Sequence, residues 1–372
     1  MTNFLSIVRL ALPTLFFGYG IAANLSAFTG PRPAYDLPAQ GLLAGGLTRD
    51  LDGLYKQVLP HMDVSFGLIG AARYGLLGEA RSGAVVGQNG WLFSTEEVRA
   101  LPTAPELAHI VGTVADIRDD LRAAGTDLVI VPLPAKIDIY RELSPDPVFG
   151  QALADTLGQF SGQLAGRGIS VVDARSALAQ PGSTTPVFFP TDTHWTPHGA
   201  TLVADAVAAS GFVPAGNLGF VRADTPPKAL TGDLIRFITT PELAPRMGLP
   251  PETLVPFVQT PAVAATDIFG AAPADIILVG TSYSANADWG FADALMQALG
   301  RDVVSLAEPG LGPLQPMRDY LASDMFRDTP PAVVIWEIPV RYLTDPAIWP
   351  APAVPADPEI AAMPPNQENP DG

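Results

Sequence analysis

The chain contains no cysteine in 372 residues, so disulfides and thiolate-held metals are excluded and its compartment cannot be read from redox chemistry. Positive charge is also scarce. Lysine and arginine total 21 against 38 aspartates and glutamates, a formal net charge of -17. No basic run or aromatic-basic interleaving offsets repulsion from phosphate, which speaks against nucleic acid as a partner. Histidine is rarer still, with four in the whole chain. No internal repeat and no nucleotide-binding loop is visible, and no cofactor is expected. What the chain has in quantity is apolar side chains, 48% of its residues. That content, at this length, suffices to bury the core of one large domain or two ordinary ones.

The longest uncharged stretch lies at the start. Residues 10 to 28, LALPTLFFGYGIAANLSAF, are 19 residues without a charged side chain, about the ~20 needed to cross a ~30 Å hydrocarbon layer. Pro13, Gly18, Gly20 and Asn24 weaken it as a span, so a cleaved signal, a retained anchor and a buried core helix compete, and the retained anchor is preferred. Arg9 and Arg32 flank it almost equally and leave its orientation poorly marked. We therefore expect residues 1–29 to be a signal anchor or signal peptide. The Pro/Gly-rich residues 30–45 are expected to be a linker and 46–348 one folded domain. The proline-crowded residues 349–372 are expected to be a disordered tail.

Within that domain short apolar runs alternate with helical patterns. DLVIVPL (127–133), ISVVDA (169–174), DIILVG (275–280), DVVSLA (302–307) and AVVIWEI (332–338) are nearly continuous apolar runs, as strands covered on both faces should be. Helical spacing fits residues 105–124, 148–166, 197–210, 287–299 and 313–327. This alternation predicts an α/β fold, a parallel sheet between helices, with any ligand site at the carboxyl ends of the strands.

One such end carries chemistry. The run 275–280 leads through Gly280-Thr281-Ser282 into a helix, a turn that exposes a hydroxyl beside backbone N–H groups able to hold an oxyanion. A serine hydroxyl is a weak nucleophile until a base takes its proton and a third group orients that base. TDTHWTPHGA (191–200) supplies both types, because in an extended segment Asp192 and His194 point to the same side. Thr196 and Pro197 then have the pattern of a helix cap and first turn. Taken singly, a serine after a strand is most often a cap, and an aspartate near a histidine is often a surface pair. His198 opens a rival reading in which Asp192, His194 and His198 gather a cation. The catalytic reading, with no metal, is preferred, and His61 and His109 read as ordinary helix or loop residues.

These segments together resemble one family. TDTHWTPHGA followed by GTSYS is similar to the SGNH-hydrolase-like domain of the alginate O-acetyltransferases, the AlgJ and AlgX kind, in which Asp-x-His-Trp supplies acid and base and Gly-Thr-Ser the nucleophile. GQNGWLF (87–93), VPLPAKIDIY (131–140) and WEIPVRYL (336–343) resemble further family segments, so the likeness spans about residues 87 to 343. Ordinary SGNH hydrolases place serine early and Asp/His late. The order here is circularly permuted, as in this family. The short remainder after the domain leaves no room for an AlgX-like carbohydrate-binding module, which implies the membrane-anchored AlgJ-like form.

The resemblance implies a periplasmic O-acetyltransferase held at the inner membrane. Ser282 would accept an acetyl group with His194 as base and Asp192 as its orienting acid, and would pass it to a hydroxyl of an exported polysaccharide, alginate-like or other. It also implies a membrane-bound O-acyltransferase as donor partner. An acetyl esterase shares the same machinery, and a non-catalytic polysaccharide-binding subunit with a relic triad is a second class. Trp195, Tyr283 and Trp289 could stack on sugar rings, with core packing as their alternative. Lys136, Glu337 and Arg341 match family segments; Lys136 and Arg341 are candidate substrate contacts, with a structural Glu337–Arg341 ion pair as the competing reading.

Overall fold

In the computed structural model, residues 2–29, 53, 62–180, 184–262 and 275–350 are described. The expected linker 30–45 lies outside them, as does the expected tail from residue 351 onward. Contacts divide the chain into two compact units, residues 1–81 with 235–250 and residues 82–234 with 251–372. The expected domain 46–348 takes in parts of both.

The first unit contains the helices Thr2–Thr29 and Met62–Leu77. The first covers the long uncharged stretch, with Pro13 inside it, and presents Leu15, Phe16, Phe17 and Ile21 outward. Among the described residues no helix is long and apolar enough to cross a membrane. The second helix is pinned to residues 235–250 through Gly67, whose carbonyl accepts the Thr239 hydroxyl at 3.0 Å.

In the second unit all five expected strands pair into one parallel sheet. They are β1 (Asp127–Leu133), β2 (Ser170–Val171), β3 (Ile276–Val279), β4 (Val304–Ser305) and β5 (Val333–Pro339), ordered β4-β3-β5-β1-β2. β5 lies between β1 and β3, in register from Val333 opposite Asp127 to Pro339 opposite Leu133. The two edge strands are the ones that shrink most from their expected lengths, since each has only one neighbour to hold its ladder.

The continuous apolar runs are explained by two buried faces. Alternate residues of β1 and β5 enter opposite cores: Leu128, Ile130, Val334, Trp336 and Ile338 pack in one, and Val129, Val131, Leu133, Val333 and Ile335 in the other. The first core is closed by α1 (Ala104–Ala123), α2 (Pro147–Gly166) and α6 (Leu314–Ala322), the second by α3 (Pro197–Ala209) and α5 (Phe291–Leu299). Local chemistry sets the helix starts. Thr103 and Glu106 cap α1 reciprocally, while Asp146 before Pro147 and Thr196 before Pro197 cap α2 and α3.

Three boundaries differ from expectation. The helix expected at 313–327 breaks at Ser323, which caps a separate turn Asp324–Asp328. The helix expected at 287–299 begins only at Phe291, after Gly290 turns the chain at φ 70°. The expected tail starts too early, because Trp349 is buried with its indole N–H donating to the Tyr342 carbonyl at 3.0 Å.

Trp336 is fully buried on the central strand, its indole N–H bound to the Pro313 carbonyl at 2.9 Å. Trp336→Ala should lower stability by about 3–5 kcal/mol, measured by urea unfolding; a loss under about 1 kcal/mol would contradict this placement.

Candidate active site

Ser282 and the Asp192–His194 segment meet at the carboxyl edge of the sheet. Gly280 and Thr281 follow β3, and Ser282 is the first residue of the short helix α4 (Ser282–Ala285), with Thr281 as its cap. The turn is tied to β5 by Glu337, whose carboxylate accepts the Thr281 N–H at 2.8 Å, the Thr281 hydroxyl at 3.1 Å and the Ser284 hydroxyl at 3.0 Å. Glycine is required at 280 because a Cβ there would stand 2.5 Å from the same carboxylate. The Thr281 N–H is thereby occupied, and the Tyr283 N–H reaches the Thr281 hydroxyl at 3.4 Å. The oxyanion donors expected of this turn therefore reduce to the N–H of Ser282 itself.

The acid–base segment is a tight reversal, not the extended segment expected. Phe188 bridges Trp195 in antiparallel fashion, and residues 190–194 form its tip. Asp192 and His194 share a side because the Asp192 carboxylate folds back on its own chain, Oδ1 accepting the His194 backbone N–H at 2.9 Å and ring Nδ1 at 2.6 Å. The other ring nitrogen, Nε2, lies 2.8 Å from the Ser282 hydroxyl oxygen. Asp192 Oδ2 accepts the Asp233 N–H at 2.8 Å. Burial alone would raise the Asp192 carboxyl, but the His194 ring and backbone and the Asp233 N–H outweigh it and hold the group below the usual carboxylate range. The imidazole is sandwiched, with Trp289 stacked at 5.4 Å and Tyr283 tilted at 5.0 Å.

Asp233 had no sequence signal beyond being one acidic residue of many. Its carboxylate accepts the Thr193 N–H at 2.8 Å and the Thr193 hydroxyl at 2.7 Å, clamping the residue between acid and base. Gly232 beside it was the available hint, since any Cβ would collide with the Thr191 carbonyl. Glu252 adds a further clamp, accepting the Thr191 N–H at 2.9 Å and hydroxyl at 2.6 Å.

Four residues expected to contact substrate are buried instead. Trp195 is fully buried against Phe291, and its indole N–H donates to the Tyr283 carbonyl at 3.1 Å. Tyr283 is 1% exposed, and its hydroxyl donates to the Thr193 carbonyl at 2.7 Å. Both rings join the nucleophile turn to the acid–base turn and cannot face a sugar. Lys136 is buried with its ammonium on three backbone carbonyls. Arg341 is also buried, 3.3 Å from Glu96 and over the rings of Tyr283 and Tyr342. The Glu337–Arg341 pair does not form, because Glu337 takes the nucleophile turn and Arg341 takes Glu96. Trp289 follows its core-packing alternative, against His194 and Phe189.

The grouping of His198 with Asp192 and His194 does not form. His198 sits apart, lining a cavity of about 610 Å³ with Phe189, Arg222 and Glu252. The ligand atoms that converge among the described residues belong to Asp192, His194 and Asp233, within 4.8 Å of one another. Each of those carboxylate oxygens accepts a hydrogen bond, three from the turn and Asp192 Oδ2 from the Asp233 N–H, so the set forms an orienting network. His109 instead meets the Pro350 carbonyl at 2.9 Å, and His61 lies outside the described residues.

A parallel sheet between helix layers, with serine after one inner strand and an Asp-x-His turn facing it, defines an SGNH-hydrolase-like α/β protein. Residues 84–340 match the family described as SGNH hydrolase-like domain, acetyltransferase AlgX, and the chain belongs to that family. It is 35% identical over 339 residues to the probable alginate O-acetylase AlgJ of Azotobacter vinelandii, covering 88% of this chain and 87% of that one. The Pseudomonas aeruginosa protein of the same name is 35% identical over 339 residues, covering 86% and 85%. Among solved structures, the O-acetyltransferase domain of Pseudomonas putida AlgJ superposes with a TM-score of 0.61 at 34% identity, covering 71% of this chain and 93% of that one. Pseudomonas aeruginosa AlgX does so with a TM-score of 0.56 at 26% identity, covering 72% and 65%.

Two predictions follow from these clamps. Asp233→Ala should lower turnover of an activated acetyl ester by up to about 100-fold through misplacement of Thr193 and its neighbours, while His198→Ala stays near wild type; steady-state kinetics on both variants checks this. Burial raises the Glu337 carboxyl to about 7, against the donors from Thr281 and Ser284. A carboxyl that holds its proton more tightly in the fold than in the open chain makes the folded state weaker as pH rises from its ordinary value of 4.5 towards about 7. Urea midpoints should fall across that window, and Glu337→Gln should flatten the fall.

Proposed function

We propose that the protein is an O-acetyltransferase that carries acetyl on Ser282 and delivers it to hydroxyl groups of an exported polyuronate, alginate being the polymer in its relatives' names. The observation that carries this reading is the 2.8 Å approach of His194 Nε2 to the Ser282 hydroxyl, with Asp192 2.6 Å behind the other ring nitrogen. His194 takes the hydroxyl proton as Ser282 Oγ bonds to the acetyl carbonyl carbon. Collapse of the tetrahedral adduct breaks the bond to the donor's leaving oxygen, which receives the proton from His194. A sugar hydroxyl then gives its proton to His194, attacks the acetyl-serine and releases Ser282, which is reprotonated. Asp192 holds the ring in the tautomer that leaves Nε2 free to accept, and stabilises the imidazolium formed in each half.

The setting we propose is the periplasmic face of the inner membrane. The uncharged residues 10–28 and the outward Leu15, Phe16, Phe17 and Ile21 support attachment there, with a membrane-bound O-acyltransferase supplying acetyl. A C-terminal reporter that works only outside the cytoplasm should be active, and activity of a cytoplasm-only reporter would overturn the placement.

For the chemistry, Ser282→Ala and His194→Ala should each lower ester turnover by roughly 10⁴-fold or more, and the double variant should be scarcely worse, because the two act as one unit. Asp192→Ala should lose less, since the base remains. Chelator should leave activity unchanged. Additive losses in the double variant, or rescue by an added cation, would overturn the assignment.

A further inference from the structure

Lys136 enters none of the steps above, yet it occupies a demanding position. It lies three residues past the end of β1, is 1% exposed, and has the aromatic rings of Trp91 and Phe93 within 5.3 Å of its ammonium. Burying an ammonium is costly unless its hydrogen bonds are replaced. Here they are. Nζ donates to the carbonyls of Leu92 at 2.6 Å, Pro190 at 2.8 Å and Asp192 at 2.9 Å, which accounts for all three of its N–H groups. The main chain here is itself tethered, since the Lys136 backbone N–H donates to Glu97 Oε1 at 2.8 Å. Two of the three carbonyls lie on the acid–base turn, and one belongs to the acid residue.

The geometry matters because the base and the nucleophile reside on separate pieces of chain. Ser282 is fixed to the sheet through β3 and through Glu337 of β5. The acid–base turn is a reversal outside the sheet, buried at Thr191, Asp192 and Thr193, and its distance from Ser282 must be set by something equally rigid. Two buried groups grip consecutive carbonyls of that turn: Lys136, from the end of β1, holds Asp192, and the Tyr283 hydroxyl, from the nucleophile helix, holds Thr193. The Leu92 N–H adds a bond to the Pro190 carbonyl at 2.9 Å, and the Tyr140 hydroxyl accepts the Val187 N–H at 2.9 Å from the same side.

We propose that Lys136 is a positioning residue for acyl transfer: its ammonium ties the acid–base turn to the end of β1 and thereby sets the His194–Ser282 distance. Its relevance to turnover rests on the acyl-transfer reading above; the clamp itself does not. Titration adds a consequence. Burial lowers the Lys136 ammonium to about 8, against Glu97 of the 95–98 turn, Glu252, and Asp192 and Asp233 on the acid–base side, whose charges favour the ammonium. Above that pH a neutral amine has only two donors and turns a lone pair towards the third carbonyl, so the clamp weakens.

The test uses the full chain. Lys136→Met keeps the apolar stem and removes the donors, whereas Lys136→Arg keeps charge in a planar fork that cannot reproduce a three-way grip. With an activated acetyl ester, Lys136→Met should lose about 100-fold in kcat with KM within about twofold, and Lys136→Arg should recover part of it. Wild-type kcat should fall as pH rises through about 8, and that limb should be missing in Lys136→Met. Independently of turnover, the downfield proton signal of the His194–Asp192 hydrogen bond, assigned by its loss in His194→Ala, should shift or broaden in Lys136→Met and in wild type above that pH. A Lys136→Met protein whose downfield signal is unmoved, or whose kcat per acylated site equals wild type, overturns the proposal. If wild type forms no acetyl-serine, the acyl-transfer reading fails, and the proton signal alone decides the clamp. Should Lys136→Met not fold, Lys136→Arg decides instead: a downfield signal and a kcat both equal to wild type overturn the clamp.

Discussion

The structure turns on one hydrogen bond of 2.8 Å between groups 88 residues apart in sequence. Proton transfer between His194 and Ser282 requires that separation within a few tenths of an ångström, and no local interaction can provide it. The sheet does. β3 brings Ser282 to the carboxyl edge, β5 beside it brings Glu337 to hold the nucleophile turn, and β1 on its other side brings Lys136 to hold the acid–base turn. The two large cores exist on either face of these strands, so the burial that stabilises the fold also fixes the strand ends against one another.

Charge is buried at this edge in an unusual amount. Glu97, Lys136, Glu337 and Arg341 are all under 6% exposed, in a position where apolar side chains would fill space without desolvation penalty. Each side chain touches a turn, a backbone group or another charge near the paired strands, and none reaches solvent. Such groups make directional contacts that an apolar core cannot, which suits a place where two turns must be aligned. Burial pushes the carboxyls of Glu97 and Glu337 up to about 7 and the ammonium of Lys136 down to about 8, each towards its uncharged form.

Much of this was legible in the amino-acid order. The five strands were readable because strands covered on both faces must be apolar throughout, Ser282 because it follows one of them, and Asp192 and His194 because a carboxylate stands two residues from one of only four histidines. The reason given for the Asp192–His194 pairing was wrong although the pairing itself forms: an aspartate folding back on its own backbone, not strand alternation, places the two together. Trp195, Tyr283, Lys136 and Arg341 were noticed for their chemistry and then aimed at substrate, because whether a side chain points inward from a turn depends on tertiary contacts that residue spacing does not encode. Asp233 lies 41 residues from Asp192 in sequence and became significant only when the chain folded back to place it there.

The most direct test of the acyl-enzyme account is mass spectrometry of the intact wild-type protein, quenched after brief exposure to an activated acetyl ester and again after addition of an oligouronate. The account predicts one acetyl group on the peptide containing Ser282, which then disappears as acetylated oligosaccharide forms. Acetyl on a different residue, or none on a folded protein that turns the ester over, would contradict it.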